Sequence, residues 1–147
     1  MPDPFTPRDA RTLVGRDDAL ILEIGCNDGQ DTDQFLEAFA CSVIPVRGGN
    51  RNLTTCTIHC FEPDPRAIAK WWQRINSIEN LRMHASLYEV ALSDRIGKQN
   101  FHQSSGTPPG PEWLGSGEWD MSGSLLPVDK HSEYVPWLKF ESQIEVS

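Results

Sequence analysis

The chain has 147 residues, enough for one domain with a buried core, and 38% of them are hydrophobic. The chain contains 13 Lys and Arg and 21 Asp and Glu, which gives a formal net charge of -8. Without a basic cluster to meet phosphates, this balance predicts no nucleic-acid partner, unless the fold gathers a local basic patch. Residues 1–18 hold prolines and charges where a signal peptide has an apolar core, and no apolar run is long enough to span a bilayer. We therefore expect a cytoplasmic protein with no membrane partner.

The cysteines and histidines do not predict a metal site. No two cysteines form a Cys-x-x-Cys pair, and the four histidines lack ligand spacing. Buried thiols that pack as small hydrophobic groups are the better interpretation of Cys41, Cys56 and Cys60.

The first third of the chain predicts an arm, a strand and a helix. Residues 1–18 form the arm, with one helical turn around Arg8–Leu13. Ala19–Ile24 is a short apolar run that ends at a glycine, as buried strands do. Asp31–Ala40 carries apolar residues at helical spacing and acids at its start, where they suit the helix dipole.

A second strand and helix follow a polar loop at Val46–Thr55. Cys56–Phe61 reads as the strand, and Asp64 with Pro65 forms a helix start, an N-cap followed by proline at the first helical position. The helix has one broad apolar face, made of Ile68, Trp71, Trp72, Ile75 and Ile78.

The remaining pattern predicts a third strand at Leu87–Leu92 and a short one at Lys98–His102. Gln103–Asp129 is rich in Gly, Pro and Ser and predicts a long loop, and Lys139–Val146 alternates like a last strand. The order strand, helix, strand, helix, strand indicates an α/β fold with a mainly parallel sheet. Residues 19–147 form this domain.

Three polar turns follow the three predicted strands, so they should meet at one edge of the sheet, where such folds bind ligands. The first has the pattern Glu-x-Gly-x-Asn-x-Gly (residues 23–29), which lets a ligand approach the backbone closely. Its spacing fits neither the dinucleotide fingerprint nor a phosphate loop. Glu62 ends the second strand, where a carboxylate can accept hydrogen bonds from ribose hydroxyls. The third turn, residues 91–94, is where an adenine edge could be read. Each feature alone has a plain structural interpretation, as a turn or a helix-capping charge.

Four segments of this sequence resemble successive motifs of the FkbM-like methyltransferases. They are ILEIGCNDGQDT, HCFEPDP, YEVALSDRIGKQNFH and SGSL, and they span about Leu20 to Leu125. The resemblance implies a Rossmann-like three-layer sandwich and a class I methyltransferase that uses S-adenosylmethionine. The implied reaction is methyl transfer to a hydroxyl oxygen, often on a sugar or another small molecule.

The resemblance also implies roles for particular residues. Glu23 and the turn residues Gly25, Cys26, Asn27 and Gly29 would border the methionine part of the cofactor. Glu62, followed by Pro63, would bind the ribose hydroxyls, and Ala91 and Leu92 would lie beside the adenine. No catalytic base is identified; His102 and His131 are candidates by residue type alone, and a solvated loop histidine is the plainer interpretation of each.

The family has further strands after the segment that resembles residues 143–147, so the resemblance implies an incomplete domain with the first strand at an open edge. Two hypotheses follow: a methyltransferase, with activity of this chain alone in question, and a non-catalytic half-domain that pairs with another chain through that edge, for instance as a homodimer. A nicotinamide-dependent oxidoreductase fails on the glycine spacing.

Overall fold

The computed structural model describes residues 5–16, 18–40, 43–44, 51–52, 56–77, 84–110 and 119–147. The helices within these residues are α1 (Pro7–Val14), α2 (Gln30–Ala40), α3 (Pro65–Asn76) and α4 (His131–Tyr134). The strands are β1 (Leu20–Ile24), β2 (Val43–Ile44), β3 (Arg51–Asn52), β4 (Thr57–Phe61), β5 (Ala85–Tyr88), β6 (Gln99–Ser105) and β7 (Lys139–Val146). None of the described helices has the length and apolar character needed to cross a bilayer.

A three-stranded parallel sheet forms the centre of the fold, in the order β1-β4-β5. The register pairs Ile24 with Phe61 and Phe61 with Tyr88, so the three strands end side by side. Two parallel crossovers, each containing a helix, connect them, which confirms the predicted α/β fold with a parallel sheet. β2–β3 and β6–β7 are separate antiparallel pairs.

The core lies on one face of this sheet. Alternate residues of β4, Ile58 and Cys60, are fully buried there, as are Leu36 of α2 and Trp71 and Ile75 of α3. The apolar residues of both helices recur every three or four positions, so each helix presents one stripe to the strands. The described part of the chain thus supplies the sheet and one helical layer of the predicted sandwich.

The other face of the sheet is exposed. Leu20, Leu22 and Ile24 alternate along β1 with 65%, 59% and 67% of their surface exposed, and Tyr88 of β5 is 41% exposed on the same side. The predicted open edge at the first strand is therefore present within the described residues, because β1 lies at one end of the sheet order.

Helix α3 begins as its sequence predicts. Asp64 is the N-cap, its carboxylate accepting a hydrogen bond from the Arg66 amide at 3.0 Å, and Pro65 occupies the first turn. Of its predicted apolar face Trp71 and Ile75 are buried, Trp72 is 40% exposed, and Ile78 lies outside the described residues.

The arm at residues 1–18 contains a helix of two turns. Thr6 and Asp9 form a reciprocal capping box, Gly15 closes the helix in a left-handed conformation, and Ala10 packs against the core.

The prediction of a third strand at Leu87–Leu92 is wrong at both ends. β5 runs from Ala85 to Tyr88, because its partner β4 ends at Phe61 and then enters Glu62-Pro63, and proline has no N–H to continue a ladder. The 91–94 turn therefore begins three residues beyond the strand.

Two segments predicted as loops contain strand. Arg51–Asn52, inside the predicted 46–55 loop, pairs with Val43–Ile44, and the rest of that loop lies outside the described residues. β6 continues through Ser105, into the predicted 103–129 loop, because β7 pairs with it along most of its length. The strand predicted at Lys139–Val146 is confirmed as β7.

Candidate functional site

The turn after β1 depends on three residues with a left-handed backbone. Gly25, Asn27 and Gly29 have φ of 76°, 45° and 80°. Glycine adopts this region without strain, and asparagine tolerates it better than most residues. The amides of Gly25 and Cys26 both donate to the Phe61 carbonyl, at 2.9 and 3.3 Å, so the turn is bound to the end of β4.

Glu62 joins this turn to the start of α3. Its Oε2 accepts a hydrogen bond from the Asn27 amide and its Oε1 accepts one from the Asp64 amide, each at 2.9 Å. The side chain is buried, and burial raises the pKa of Glu62 although both hydrogen bonds favour the charged form. Each carboxylate oxygen has a second lone pair that these two hydrogen bonds do not use.

Glu23 lies below the turn and supports it. Its Oε2 accepts a hydrogen bond from the Thr32 hydroxyl at 2.6 Å, and that hydroxyl in turn accepts one from the Trp71 indole at 3.1 Å. Burial raises the pKa of Glu23. Because Thr32 is in the first turn of α2, this chain of hydrogen bonds fixes β1, α2 and α3 around the turn.

Gly29 lies against the Trp71 indole. A Cβ added at Gly29 would come within 2.7 Å of Trp71 Cδ1, whereas one added at Gly25 would meet no atom within 4 Å. The two glycines therefore serve different purposes: Gly29 permits packing, and Gly25 leaves the outer side of the turn open.

Cys26 is a buried thiol at the base of the turn. Its contact with the Cys60 thiol, and then burial, raise the pKa of Cys26 well above its ordinary value, so it stays protonated. Among the described residues, no group of His, Cys, Asp and Glu is arranged to hold a metal ion.

Three cations spaced four residues apart on α3 bind three different segments around the turn. Arg66 pairs with Asp64 at 2.6 Å, Lys70 with Asp120 at 2.5 Å and Arg74 with Asp28 at 2.7 Å. We call these three side chains the basic ridge. Sequence reasoning missed it, although the spacing Arg-x-x-x-Lys-x-x-x-Arg puts all three on one side of a helix.

Asp120 is the functional candidate that sequence reasoning could not find. Its carbonyl accepts a hydrogen bond from the Asn27 side-chain amide at 3.2 Å, and its nearly buried carboxylate pairs with Lys70. Asn27 thus bonds to Asp120 through its side chain and to Glu62 through its backbone amide, which places both acids beside the same turn residue. The contact spans 93 positions, and no local pattern indicates it.

The β6–β7 pair attaches to the same region through α3. Arg66 donates to the Ser104 carbonyl at 2.9 Å, and the Gln103 side-chain amide donates to Asp64 at 3.0 Å. Burial opposes ionisation of Asp64, but hydrogen bonds from Arg66 outweigh it, so the pKa of Asp64 is lowered.

The SGSL segment also lies on this strand pair. Ser124 exchanges main-chain hydrogen bonds with His102, and a side chain at Gly123 would collide with the Phe101 ring.

The other predicted site residues lie as follows. Pro63 is half-buried between Glu62 and Asp64. The Ala91 amide donates to the Ser147 carbonyl at 2.8 Å, and Leu92 is 46% exposed. His131 is exposed, with its ring against Phe140. The structure thus brings together Glu23, Gly25, Cys26, Asn27, Gly29 and Glu62, while the contacts of Ala91 and His131 are with other segments.

A parallel sheet with a glycine-rich turn and an acid at the carboxyl ends of adjacent strands belongs to the α/β class in which small ligands bind at that edge. Comparison with curated proteins finds a relative whose reaction is known. The chain is similar to the 2-O-methyltransferase NoeI of Sinorhizobium fredii (strain NBRC 101917 / NGR234), with 34% identity over 135 residues. The match covers 92% of the chain and 46% of that relative, so the chain spans about half its length.

This similarity establishes a relationship to a methyltransferase. The chain matches no protein-family model. No solved structure matches it either.

Proposed function

We propose that this chain forms the cofactor-binding part of an S-adenosylmethionine-dependent O-methyltransferase of the FkbM-like family. The observation that carries the proposal is the Glu62 carboxylate, which accepts the Asn27 amide of the turn at 2.9 Å. An acid at the end of β4 is thereby held against the glycine-rich turn. The similarity to a 2-O-methyltransferase supports the reaction class.

The residues present fit the cofactor chemically. The open side of Gly25 leaves room for a ligand to approach the backbone of the turn, and free lone pairs on Glu62 suit ribose hydroxyls. The Glu62 carboxylate accepts its hydrogen bonds from the Asn27 and Asp64 amides and not from a cation, so its charge favours a cationic ligand, and the sulfonium of S-adenosylmethionine is cationic.

When bound, S-adenosylmethionine supplies an activated methyl group, so the cofactor carries the difficult chemistry. In this proposal the turn at residues 25–29 orients the methionine part, and Glu62 fixes the ribose. Ala91 and Leu92 flank the adenine, and Glu23 supports the turn from below. The methyl acceptor is a hydroxyl of a sugar or another small molecule.

Calorimetric titration of the purified chain with S-adenosylmethionine tests the proposal. We expect saturable 1:1 binding, no response to NAD, and affinity at least about tenfold weaker in Glu62→Gln, because a charged acceptor of ligand hydroxyls is lost. Glu37→Gln, at an exposed position of α2, is the matched control and should bind like the wild type. Equal affinities for Glu62→Gln and Glu37→Gln would reject the assignment of Glu62.

A second candidate function is a non-catalytic interaction module. The exposed Leu20, Leu22 and Ile24 of the edge strand β1 favour it. Stable association with another polypeptide, combined with no response to S-adenosylmethionine, would support this function over the first.

A further inference from the structure

The ion pair of Lys70 and Asp120 lies beside the turn that follows β1. Lys70 Nζ is 2.5 Å from Asp120 Oδ2, and the Asp120 carbonyl accepts a hydrogen bond from the Asn27 side chain at 3.2 Å. The two partners are 50 positions apart in the sequence, one on α3 and the other in the segment that precedes SGSL. The fold thus brings one anion and one cation to the turn from different parts of the chain.

Both partners of this ion pair can still bind a ligand. Within the described residues, Asp120 is bonded at its main-chain carbonyl and at Oδ2, and its Oδ1 takes no hydrogen bond. Lys70 gives one of its three N–H groups to Asp120, and 51% of its side chain is exposed. Each partner can therefore take a ligand group while the ion pair stays intact.

The opposite charges of the pair determine which kind of ligand fits it. The pair is neutral as a whole, so a ligand with a single charge is attracted by one partner and repelled by the other. A zwitterion can form a charge-assisted hydrogen bond with each partner. An α-amino acid carries its ammonium and its carboxylate on the same carbon, so both groups can reach neighbouring side chains. The pair therefore fits the amino-acid end of a ligand better than it fits a phosphate or a simple cation.

Asn27 places the ion pair close to the acid that fixes the ribose in the proposed function. The Asn27 amide donates to Glu62 at 2.9 Å, and the Asn27 side chain donates to the Asp120 carbonyl. In S-adenosylmethionine the sulfur joins the ribose to a short methionine chain. Residues that bind the amino-acid end must therefore lie near the one that binds the ribose, and Asp120 meets this requirement through Asn27.

We propose that Asp120 and Lys70 bind the amino-acid end of S-adenosylmethionine. Asp120 Oδ1 accepts a hydrogen bond from the α-ammonium, and Lys70 donates one to the α-carboxylate. The inference rests on the proposed function and adds two binding residues to it.

Two thioether ligands isolate the contribution of Asp120. S-adenosylhomocysteine has the amino-acid end and methylthioadenosine lacks it, while both have the same nucleoside and a neutral sulfur. In calorimetric titrations of the full chain, Asp120→Asn should weaken S-adenosylhomocysteine binding at least about tenfold and methylthioadenosine binding less than about twofold, because the amide carries no charge for the ammonium. Asp18→Asn removes a carboxylate that pairs with Arg16 in the arm, and this matched control should change neither affinity.

A second pair of ligands tests Lys70. Decarboxylated S-adenosylmethionine keeps the ammonium and the sulfonium but lacks the carboxylate. Lys70→Met should weaken the binding of S-adenosylmethionine at least about tenfold and leave the binding of the decarboxylated ligand unchanged. Circular dichroism checks that both variants fold, and Lys70→Met keeps the proposal testable should Asp120→Asn unfold.

Three results would overturn the proposal. The first is an Asp120→Asn variant that binds S-adenosylhomocysteine like the wild type. The second is an equal loss for methylthioadenosine in that variant, which would make Asp120 a structural support of the turn. The third is a Lys70→Met variant that does not distinguish S-adenosylmethionine from its decarboxylated form. A wild-type chain that binds none of these ligands would reject the proposed function itself, whereas any of the three results with normal wild-type binding rejects this inference alone.

Discussion

Of the two turn glycines, Gly29 should lose more stability when it is replaced by alanine, and Gly25 should lose more ligand affinity. Gly25 and Gly29 have nearly the same left-handed φ, 76° and 80°. They differ in what an added methyl group meets: open space at Gly25, and the Trp71 indole at 2.7 Å at Gly29. The pair therefore separates backbone strain from steric overlap.

The magnitudes follow from these two terms. A non-glycine residue in the left-handed region costs about 1–2 kcal/mol, and this is the whole expected loss for Gly25→Ala. Gly29→Ala adds overpacking against a fully buried indole, about 1–3 kcal/mol, for a total of about 2–5 kcal/mol. Trp71 cannot easily move aside, since its Nε1 donates to the Thr32 hydroxyl.

Urea unfolding followed by tryptophan fluorescence measures the difference. With an m-value of about 2 kcal/mol/M, the Gly29→Ala midpoint should lie about 1 M below that of Gly25→Ala. Calorimetry on the folded variants should show the larger loss of S-adenosylmethionine affinity in Gly25→Ala, whose methyl group occupies the open side of the turn. Coincident urea midpoints would refute the packing argument, and full cofactor affinity in Gly25→Ala would refute the ligand position.

Three further substitutions test the supports of the turn. Glu62→Gln turns an NH₂ toward a backbone amide, from which it cannot accept a hydrogen bond. This substitution should lower the unfolding free energy measured in urea by about 1–3 kcal/mol. An unchanged midpoint would contradict the role of Glu62 in joining the turn to α3. Burial raises the pKa of Glu23. The stability that Glu23 gives the folded protein, relative to Glu23→Gln, is therefore complete below the pKa of the unfolded state and declines as the pH rises through the pKa of the folded state. Urea titrations of both forms between about pH 4 and pH 8 measure this, and a relative stability that increases with pH would be inconsistent with it. Lys70→Met should cost about 1 kcal/mol after solvent screening, and less in an Asp120→Asn background; equal costs in a double-mutant cycle would show that the pair is not coupled.

Local signals were enough to predict the elements that build the turn. The apolar run of β1, the acids at the start of α2 and the Asp64-Pro65 cap each lie within a few residues of the feature they specify. Parallel order then places the ends of β1 and β4 together, so the approach of Glu62 to the turn follows from topology.

The rest of the site depends on contacts distant in sequence. Asp120 meets Asn27 across 93 positions, and the position of Ala91 is fixed by the Ser147 carbonyl. The partner strand determines where β5 ends. Val90 is a β-branched residue of the kind that favours strands, but the pairing of β5 with β4 ends at Tyr88. Such features can be predicted only after the pairing of the strands is known.

The basic ridge makes α3 sensitive to insertion. Successive residues of a helix are rotated by about 100°, so one residue inserted between Ala67 and Lys70 would rotate Arg66 away from Lys70 and Arg74. The same rotation would separate Ala67 from the face that Trp71 and Ile75 bury. A substitution on α3 changes the contacts of one side chain, whereas an insertion or deletion rotates every residue on one side of it relative to the rest of the helix. In a set of homologous sequences, length variation should therefore collect in the connections that flank this helix and spare its interior.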